Sequence, residues 1–394
     1  MRRVAFILAL AIAAFGARSA SAETWRRLDG RTMSPAQIDA EVERLRVTGK
    51  VPGVAVALIR EGRVVHLTAS GLRDVQSKAP LTTDTVMYGA SLTKLAFAYM
   101  VMQLADEGRV GLDASIAEDL PKPLTDYPKY ADLKGDERWR RLTPRILLLH
   151  ASGFANFRFL EPDEKLRFHF EPGARYAYSG EGINLLQFGL EADRRLDVGR
   201  EMKARVFEPL GMTRTSMTWR DDFSANLATG YLADGSASPH DQRESVRAAG
   251  SMDTTIADYA KFLAAMQSGR GLSARSRAEM TRPQLPIVSA HQFPTLDEAR
   301  GGYDRTHKLA AGLGLVVFEG RYGKAFMKGG HDDQTDNMAL CVEARRTCIL
   351  MMSNSGVGAR IYPALAAALL GETGAPWDWE YNPRLPLAPP AEAR

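Results

Sequence analysis

The chain has 394 residues, of which 45% are hydrophobic and 25% charged, as in a folded protein with a sizeable core, and this excludes intrinsic disorder and collagen-like structure. Its 51 basic and 47 acidic residues leave a formal net charge of +4, too small and too dispersed an excess to indicate nucleic-acid binding. With only two cysteines, Cys341 and Cys348, neither a multi-disulfide scaffold nor a four-thiolate zinc site is possible.

Residues 1–22 read as a signal peptide. Met1-Arg2-Arg3 is basic, Val4 to Ala17 is almost wholly apolar, and Ala20-Ser21-Ala22 offers a small-x-small cleavage pattern. The apolar run is shorter than the ~20 residues of a membrane span, and no cysteine follows the cleavage point to carry a lipid. The expected product is periplasmic or secreted, without a stable membrane anchor.

Ser34-Pro35 opens a helix carrying Ile38, Val42 and Leu45. Val54 to Arg60 and Arg63 to Ala69 read as strands joined at Glu61-Gly62. A helix from about Ser91 to Glu107, stopped by Gly108, is apolar around nearly its whole circumference and is therefore expected in the core. From about 116 to 244 the sequence turns helical and loop-rich, with helices predicted after Thr143-Pro144, from Glu181 to Arg195 and from Val198 to Phe207. Thr255 caps an amphipathic helix through Met266. Strand signals return at Gly312 to Glu319, Lys324 to Lys328, Asp336 to Glu343 and Thr347 to Ser353, followed by a helix bearing Ile361, Leu365 and Leu369.

The expected fold class is α+β. One antiparallel sheet draws on both ends of the chain (about 35–115 and 245–370), helices flank both its faces, and a helical region is inserted at 116–244. The folded domain is expected over 23–375, with a proline-containing tail, 376–394, on the surface. If Ala344-Arg345 is a two-residue turn, Cys341 falls opposite Cys348, close enough for a structural disulfide.

The chain lacks His-Glu-x-x-His, Cys-x-x-Cys, a phosphate-binding Gly-x-x-x-x-Gly-Lys and a Gly-x-Ser-x-Gly elbow. No metal or cofactor is expected. What it has is one Ser-x-x-Lys, Ser91-Leu92-Thr93-Lys94, at the start of the buried helix. Three residues of helix put both side chains on one face, a turn apart. A buried lysine has a lowered pKa and can take the serine proton, while the helix N-terminus adds free N–H groups near the hydroxyl.

The sequence resembles the class C β-lactamase family of serine hydrolases, with its β-lactamase/transpeptidase-like fold. That family includes penicillin-binding DD-peptidases, D-aminopeptidases and esterases. The resemblance rests on ordered blocks between about 35 and 370: Tyr88-Gly89-Ala90-Ser91-Leu92-Thr93-Lys94, Leu148-Leu149-His150-Ala151-Ser152-Gly153, Pro172-Gly173 through Tyr176-Ala177-Tyr178-Ser179, Pro209-Leu210-Gly211-Met212, Ala249-Gly250-Ser251-Met252 and Lys328-Gly329-Gly330.

The resemblance implies Ser91 as nucleophile, Lys94 as proton acceptor and Tyr178, in preference to Tyr176, as the phenol sharing that proton. Lys328, Gly329 and Gly330 would line the substrate site, and the main chain of His331 would join that of Ser91 as an oxyanion hole. His150 and Ser152 read as structural. Gly180 stands where the family has an asparagine that holds a substrate amide, which argues against efficient β-lactam turnover. Asp332, Asp333 and Asp336 would favour neutral esters or amine-bearing peptides over anions, unless they form only a solvated turn. The expected activity is that of an exported serine hydrolase acting on a β-lactam, a D-amino acid peptide or an ester. The alternative is a non-catalytic module that binds cell-wall fragments. The partner in either case is a small-molecule or peptide ligand, and the sequence leaves the oligomeric state open.

Overall fold

The computed structural model describes residues 24–192 and 196–381. The segment read as a signal peptide, the last residues of the helix expected to reach Arg195, and the tail from 382 onward lie outside the described residues.

Ser34 caps the first helix, α1 (Pro35–Thr48), through a reciprocal pair of hydrogen bonds with Gln37. Strands β1 (Gly53–Arg60) and β2 (Arg63–Asp74) form a hairpin whose turn residues, Glu61 and Gly62, both have positive φ, as a two-residue turn matched to strand twist requires. After the short β3 (Ala79–Pro80) come α2 (Leu92–Asp106), α3 (Pro144–Leu148) and α4 (Gly180–Glu191). Helix α5 (Val198–Met202) runs into a π-helical turn at Lys203–Phe207, and α6 (Ile256–Ser268) begins at the Thr255 cap. The remaining strands are β4 (Leu285–Pro286), β5 (Ala310–Gly312), β6 (Leu315–Gly320), β7 (Gly323–His331), β8 (Asp336–Val342) and β9 (Thr347–Ser353). Helices α7 (Tyr362–Leu370) and α8 (Trp377–Glu380) follow.

The strands form one nine-stranded antiparallel sheet in the order β4-β5-β6-β7-β8-β9-β1-β2-β3. The late strand β9 pairs with the early strand β1, so both ends of the chain build the sheet, and the fold is α+β with helices on both faces. Register identifies the faces. Ile349, Leu58 and His66 lie in one cross-strand row, and His66 Nε2 sits 2.8 Å from Asp39 Oδ1 of α1. Cys348, next along β9, therefore points the other way, where Gln267 of α6 donates to its sulfur. Asn337 shares that second face and donates to the Tyr88 carbonyl just before α2. Helix α2 lies between the sheet and the inserted region, with twelve of its fifteen residues buried, as its apolar circumference requires.

Four expectations need correction or refinement. The strand read over Gly312 to Glu319 is two strands, broken at Leu313-Gly314. Gly314 has φ +77°, and a Cβ there would fall 2.4 Å from Ala98 Cβ of α2. The insert at 116–244 is built largely of short 3-10 turns and includes a small hairpin, Gly230–Tyr231 with Ala237–Ser238. The link between β8 and β9 is four residues long, yet Cys341 still pairs with Cys348, and their sulfurs are bonded.

The largest correction concerns the tail. Residues 376–381 do not lie over the surface: Trp379, Glu380 and Tyr381 are buried. Trp379 donates its indole N–H to Ser289 Oγ and accepts from the Gln292 N–H, which docks this segment beside the end of β7. The folded chain thus extends at least to Tyr381.

Candidate active site

Ala90 adopts φ +45°, a left-handed conformation that strains a residue with a Cβ, and turns the chain into α2 immediately before Ser91. Ser91 occupies the N-cap position but makes no side-chain cap bond, which leaves its hydroxyl free for other partners. Lys94 Nζ donates to Ser91 Oγ at 2.9 Å and to the Ala249 carbonyl at 2.5 Å. Lys94 is fully buried. Desolvation, reinforced by the positive charge of Lys328, holds its pKa well below the usual lysine range. A neutral amine facing a hydroxyl can accept its proton.

Helix α4 positions two parts of this site. Ser179 caps it, accepting from the Gly182 N–H and donating to the Ala155 carbonyl, and so fixes Tyr178 just upstream. Farther along α4, Asn184 and Gln187 accept from the N–H groups of Ala249 and Ala248, anchoring the loop whose carbonyl receives Lys94. The Tyr178 hydroxyl accepts from Lys328 Nζ at 3.1 Å. Burial pushes its pKa up, and a hydrogen bond with Ser91 works in the opposite direction. The Nζ atoms of Lys94 and Lys328 lie 5.0 and 4.9 Å from the Tyr178 ring centroid. Ser91, Lys94, Tyr178 and Lys328 thus form one connected network.

Tyr176 faces elsewhere and donates to Gln292 Oε1 at 3.0 Å. His150 packs its ring against Tyr178, with centroids 4.3 Å apart, and its Nδ1 meets the Ser179 backbone. Burial and the two nearby lysines keep it neutral. Ser152 accepts from the Phe154 N–H. Both His150 and Ser152 buttress the wall of the site.

Lys328, Gly329, Gly330 and His331 end β7. Pairing with β6 stops at Met327, leaving that edge of the last four residues without a strand partner. A Cβ on Gly330 would fall 2.7 Å from the Leu92 nitrogen and 2.9 Å from the Gly89 carbonyl oxygen, so only glycine lets β7 approach the start of α2 this closely. The His331 ring lines the cavity, and its pKa is pushed down to about 4 by burial and then by the two lysines. The three carboxylates that follow do not act as a cluster. Asp332 and Asp333 are exposed, and of these two only Asp332 joins Asp336 in the cavity lining. Asp336 is a buried β8 residue that accepts from the Ala359 N–H.

A cavity of about 420 Å³ includes Ser91, Tyr178, Gly329 and His331 in its lining. It also includes Asn156, Phe157, Gln292, Phe293, Glu380 and Tyr381, none of which the sequence motifs indicated. Phe157 fills the space where the family's asparagine would stand: a Cβ on Gly180 would fall 2.3 Å from the Phe157 ring. Asn156 supplies an amide from another direction, its Oδ1 accepting from the Gly180 N–H at 3.0 Å. Glu380 accepts from Gln292 Nε2 at 3.0 Å. Burial pushes its carboxyl pKa up, against the pull of Lys328. The one available signal was the run Trp377-Asp378-Trp379-Glu380-Tyr381, too aromatic for a solvated tail. A second cavity, about 640 Å³ and lined in part by Phe207, Met212 and Met217, shares no residue with this one.

Among the described residues, no group of three His, Cys, Asp or Glu side chains is placed to hold a metal ion, and no helix is long and apolar enough to cross a membrane.

Comparison with known proteins gives a consistent picture. A family model described as Beta-lactamase matches residues 38–372. Lovastatin esterase of Penicillium rubens is 29% identical over 212 residues, covering 46% of this chain and 53% of the esterase. Penicillin-binding protein 4 of Amycolatopsis lactamdurans is 25% identical over 380 residues, 89% of this chain and 92% of that protein. The chain spans about half or less of the length of several other curated relatives. Among solved structures, the octameric penicillin-binding protein homologue from Pyrococcus abyssi superposes with a TM-score of 0.68 at 21% identity, over 89% of this chain and 81% of that one.

Proposed function

The chain belongs to the Beta-lactamase family, and from that premise we propose that it is an exported serine hydrolase that cleaves an amide or ester bond through an acyl-enzyme at Ser91. The observation that carries this reading is the 2.9 Å hydrogen bond between Ser91 Oγ and the amine of fully buried Lys94.

In the first step Ser91 Oγ attacks the carbonyl carbon as its proton passes to Lys94 Nζ. Tyr178, bonded to Ser91, relays that proton to the departing nitrogen or oxygen. The developing oxyanion is received by the main-chain N–H groups of Ser91 and His331. Water then attacks the ester of Ser91, gives its proton to the same amine–phenol pair, and Ser91 Oγ leaves as the hydroxyl. Lys328 keeps Tyr178 oriented and adds positive potential.

Export is supported by the basic-then-apolar segment ending at Ala22 and by the Cys341–Cys348 disulfide, which suits an oxidising compartment. The space taken by Phe157 at Gly180 favours esters and linear amides over β-lactams.

The test is a substrate panel run on wild type and Ser91→Ala. It contains a chromogenic cephalosporin, short-chain nitrophenyl esters, a D-Ala-D-Ala peptide and D-amino acid amides, with fluorophosphonate labelling alongside. Turnover and labelling that both vanish in Ser91→Ala are expected. Labelling that persists identifies another nucleophile and overturns the proposal.

A further inference from the structure

His331, Asp336, Glu380 and Tyr381 all line the cavity that contains Ser91. Each carries a buried polar atom with no hydrogen-bond partner among the described residues: His331 Nδ1, Asp336 Oδ1, Glu380 Oε1 and the Tyr381 hydroxyl. Leaving such groups unpaired is costly, and at a functional site it points to a ligand that completes them. Two of the four are carboxylates, with Glu380 4% and Asp336 2% exposed.

Glu380 is held for this purpose. Tyr176 donates to Gln292 Oε1, and Gln292 Nε2 donates to Glu380 Oε2, so one carboxylate oxygen is anchored while the other lies over Gly329. Lys328 gives its hydrogen bonds to Tyr178 and the Gly329 carbonyl, not to this carboxylate. The rings of Tyr178, Phe293, His331 and Tyr381 follow one another along the same wall, at centroid spacings of 5.5, 5.4 and 6.3 Å. Carboxylate oxygens beside aromatic faces favour a cation, and a cation bearing several N–H donors satisfies acceptors in more than one direction. A carboxylate-bearing ligand would instead meet Glu380.

We propose that Glu380 binds a primary ammonium group of the substrate next to the scissile carbonyl, so that this site selects amides or esters whose acyl part carries a free amine. The proposal rests on the serine-hydrolase reading for its catalytic consequence, but the binding subsite stands on its own.

The experiment has two arms. In the Ser91→Ala protein, calorimetry compares alanine amide with N-acetylalanine amide, each in both configurations. The free amine of at least one configuration is expected to bind at least about tenfold more tightly, and Glu380→Gln added to Ser91→Ala is expected to remove that preference. In the enzyme with Ser91 intact, the ratio of kcat/KM for alanine nitroanilide to that for its N-acetyl form should collapse on Glu380→Gln. Equal binding of amine and acetylated amide overturns the subsite, a comparison that leaves position 380 unchanged. Fluorophosphonate labelling and ester turnover report separately on Ser91, so loss of the hydrolase reading and loss of the amine subsite give different results.

Discussion

Glu380 occupies the space in front of Gly329: a Cβ built on Gly329 would fall 2.0 Å from Glu380 Oε1. The glycine in the second position of Lys328-Gly329-Gly330 therefore makes room for a carboxylate arriving from some fifty residues downstream. Gly329→Ala should displace Glu380 or bend the end of β7, at a cost of about 1–3 kcal/mol. Combined with Glu380→Ala, which removes the obstructing group, the loss should fall short of the sum of the single changes by ~0.5–3 kcal/mol. Chemical denaturation of the four proteins measures this coupling, and strict additivity would contradict the contact.

The two active-site lysines are coupled through charge. Desolvation lowers the Lys94 pKa first, and Lys328 lowers it further. The base in the proposed mechanism is the neutral amine, so kcat/KM should rise with pH through that lowered pKa and then level off. Lys328→Met removes a positive neighbour, raises the Lys94 pKa and should move the acid limb to higher pH. Lys94→Arg keeps the charge but has no accessible neutral form, and should cost ~10²–10⁴ in turnover. An acid limb that stays in place in Lys328→Met would show that another group sets it.

Asp336 carries a stability cost that depends on pH. Burial, with smaller contributions from Glu380 and Asp332, raises its pKa well above the carboxylate range, although the Ala359 N–H pulls the other way. The folded state then holds the proton more tightly than the unfolded chain does. Stability from this group is unchanged below the unfolded pKa of ~3.9 and falls as pH climbs above it toward the raised value. Asp336→Asn keeps an acceptor for Ala359 and cannot ionise. Its Tm advantage over wild type should be small at pH 4 and larger at pH 8, worth about 1–3 kcal/mol there. An advantage that stays constant across that range would count against the assignment.

The parts of the fold that follow from local periodicity were legible in advance. The capped helix after Ser34, the Glu61-Gly62 hairpin, the wholly apolar α2 and the pairing of Cys341 with Cys348 all depend on neighbouring residues. Residues of the site embedded in ordered blocks were legible for the same reason, and the structure brings Ser91, Lys94, Tyr178 and Lys328 into one network. Glu380 was not legible, because its role depends on Trp379 docking against Ser289 and Gln292, contacts made across some ninety positions of sequence. The tail's prolines suggested a surface course, and only packing shows that Trp379 docks into the protein and that Glu380 and Tyr381 return to the site. The burial of Asp336 was not legible for a related reason: its place in β8 turns it into the protein, whereas its neighbour Asp333 stays exposed.

Gly180 shows how one departure from a family pattern is absorbed by another residue. An asparagine at this position would drive its Cβ to 2.3 and 2.4 Å from two Phe157 ring carbons. Phe157 cannot simply withdraw, because it stacks on Phe159 with centroids 5.1 Å apart and lies within 6.0 Å of Lys94 Nζ. Gly180→Asn alone should therefore destabilise the protein by about 1–3 kcal/mol and leave cephalosporin turnover no better. Phe157→Ala opens the space, and in the double variant the new amide can enter the cavity beside Tyr178. That protein should recover much of the lost stability and hydrolyse a chromogenic cephalosporin faster, relative to a nitrophenyl ester, than either single variant. Stopped-flow assays on the three proteins decide the matter: an unchanged cephalosporin-to-ester ratio in the double variant would mean that Phe157 does not control β-lactam access.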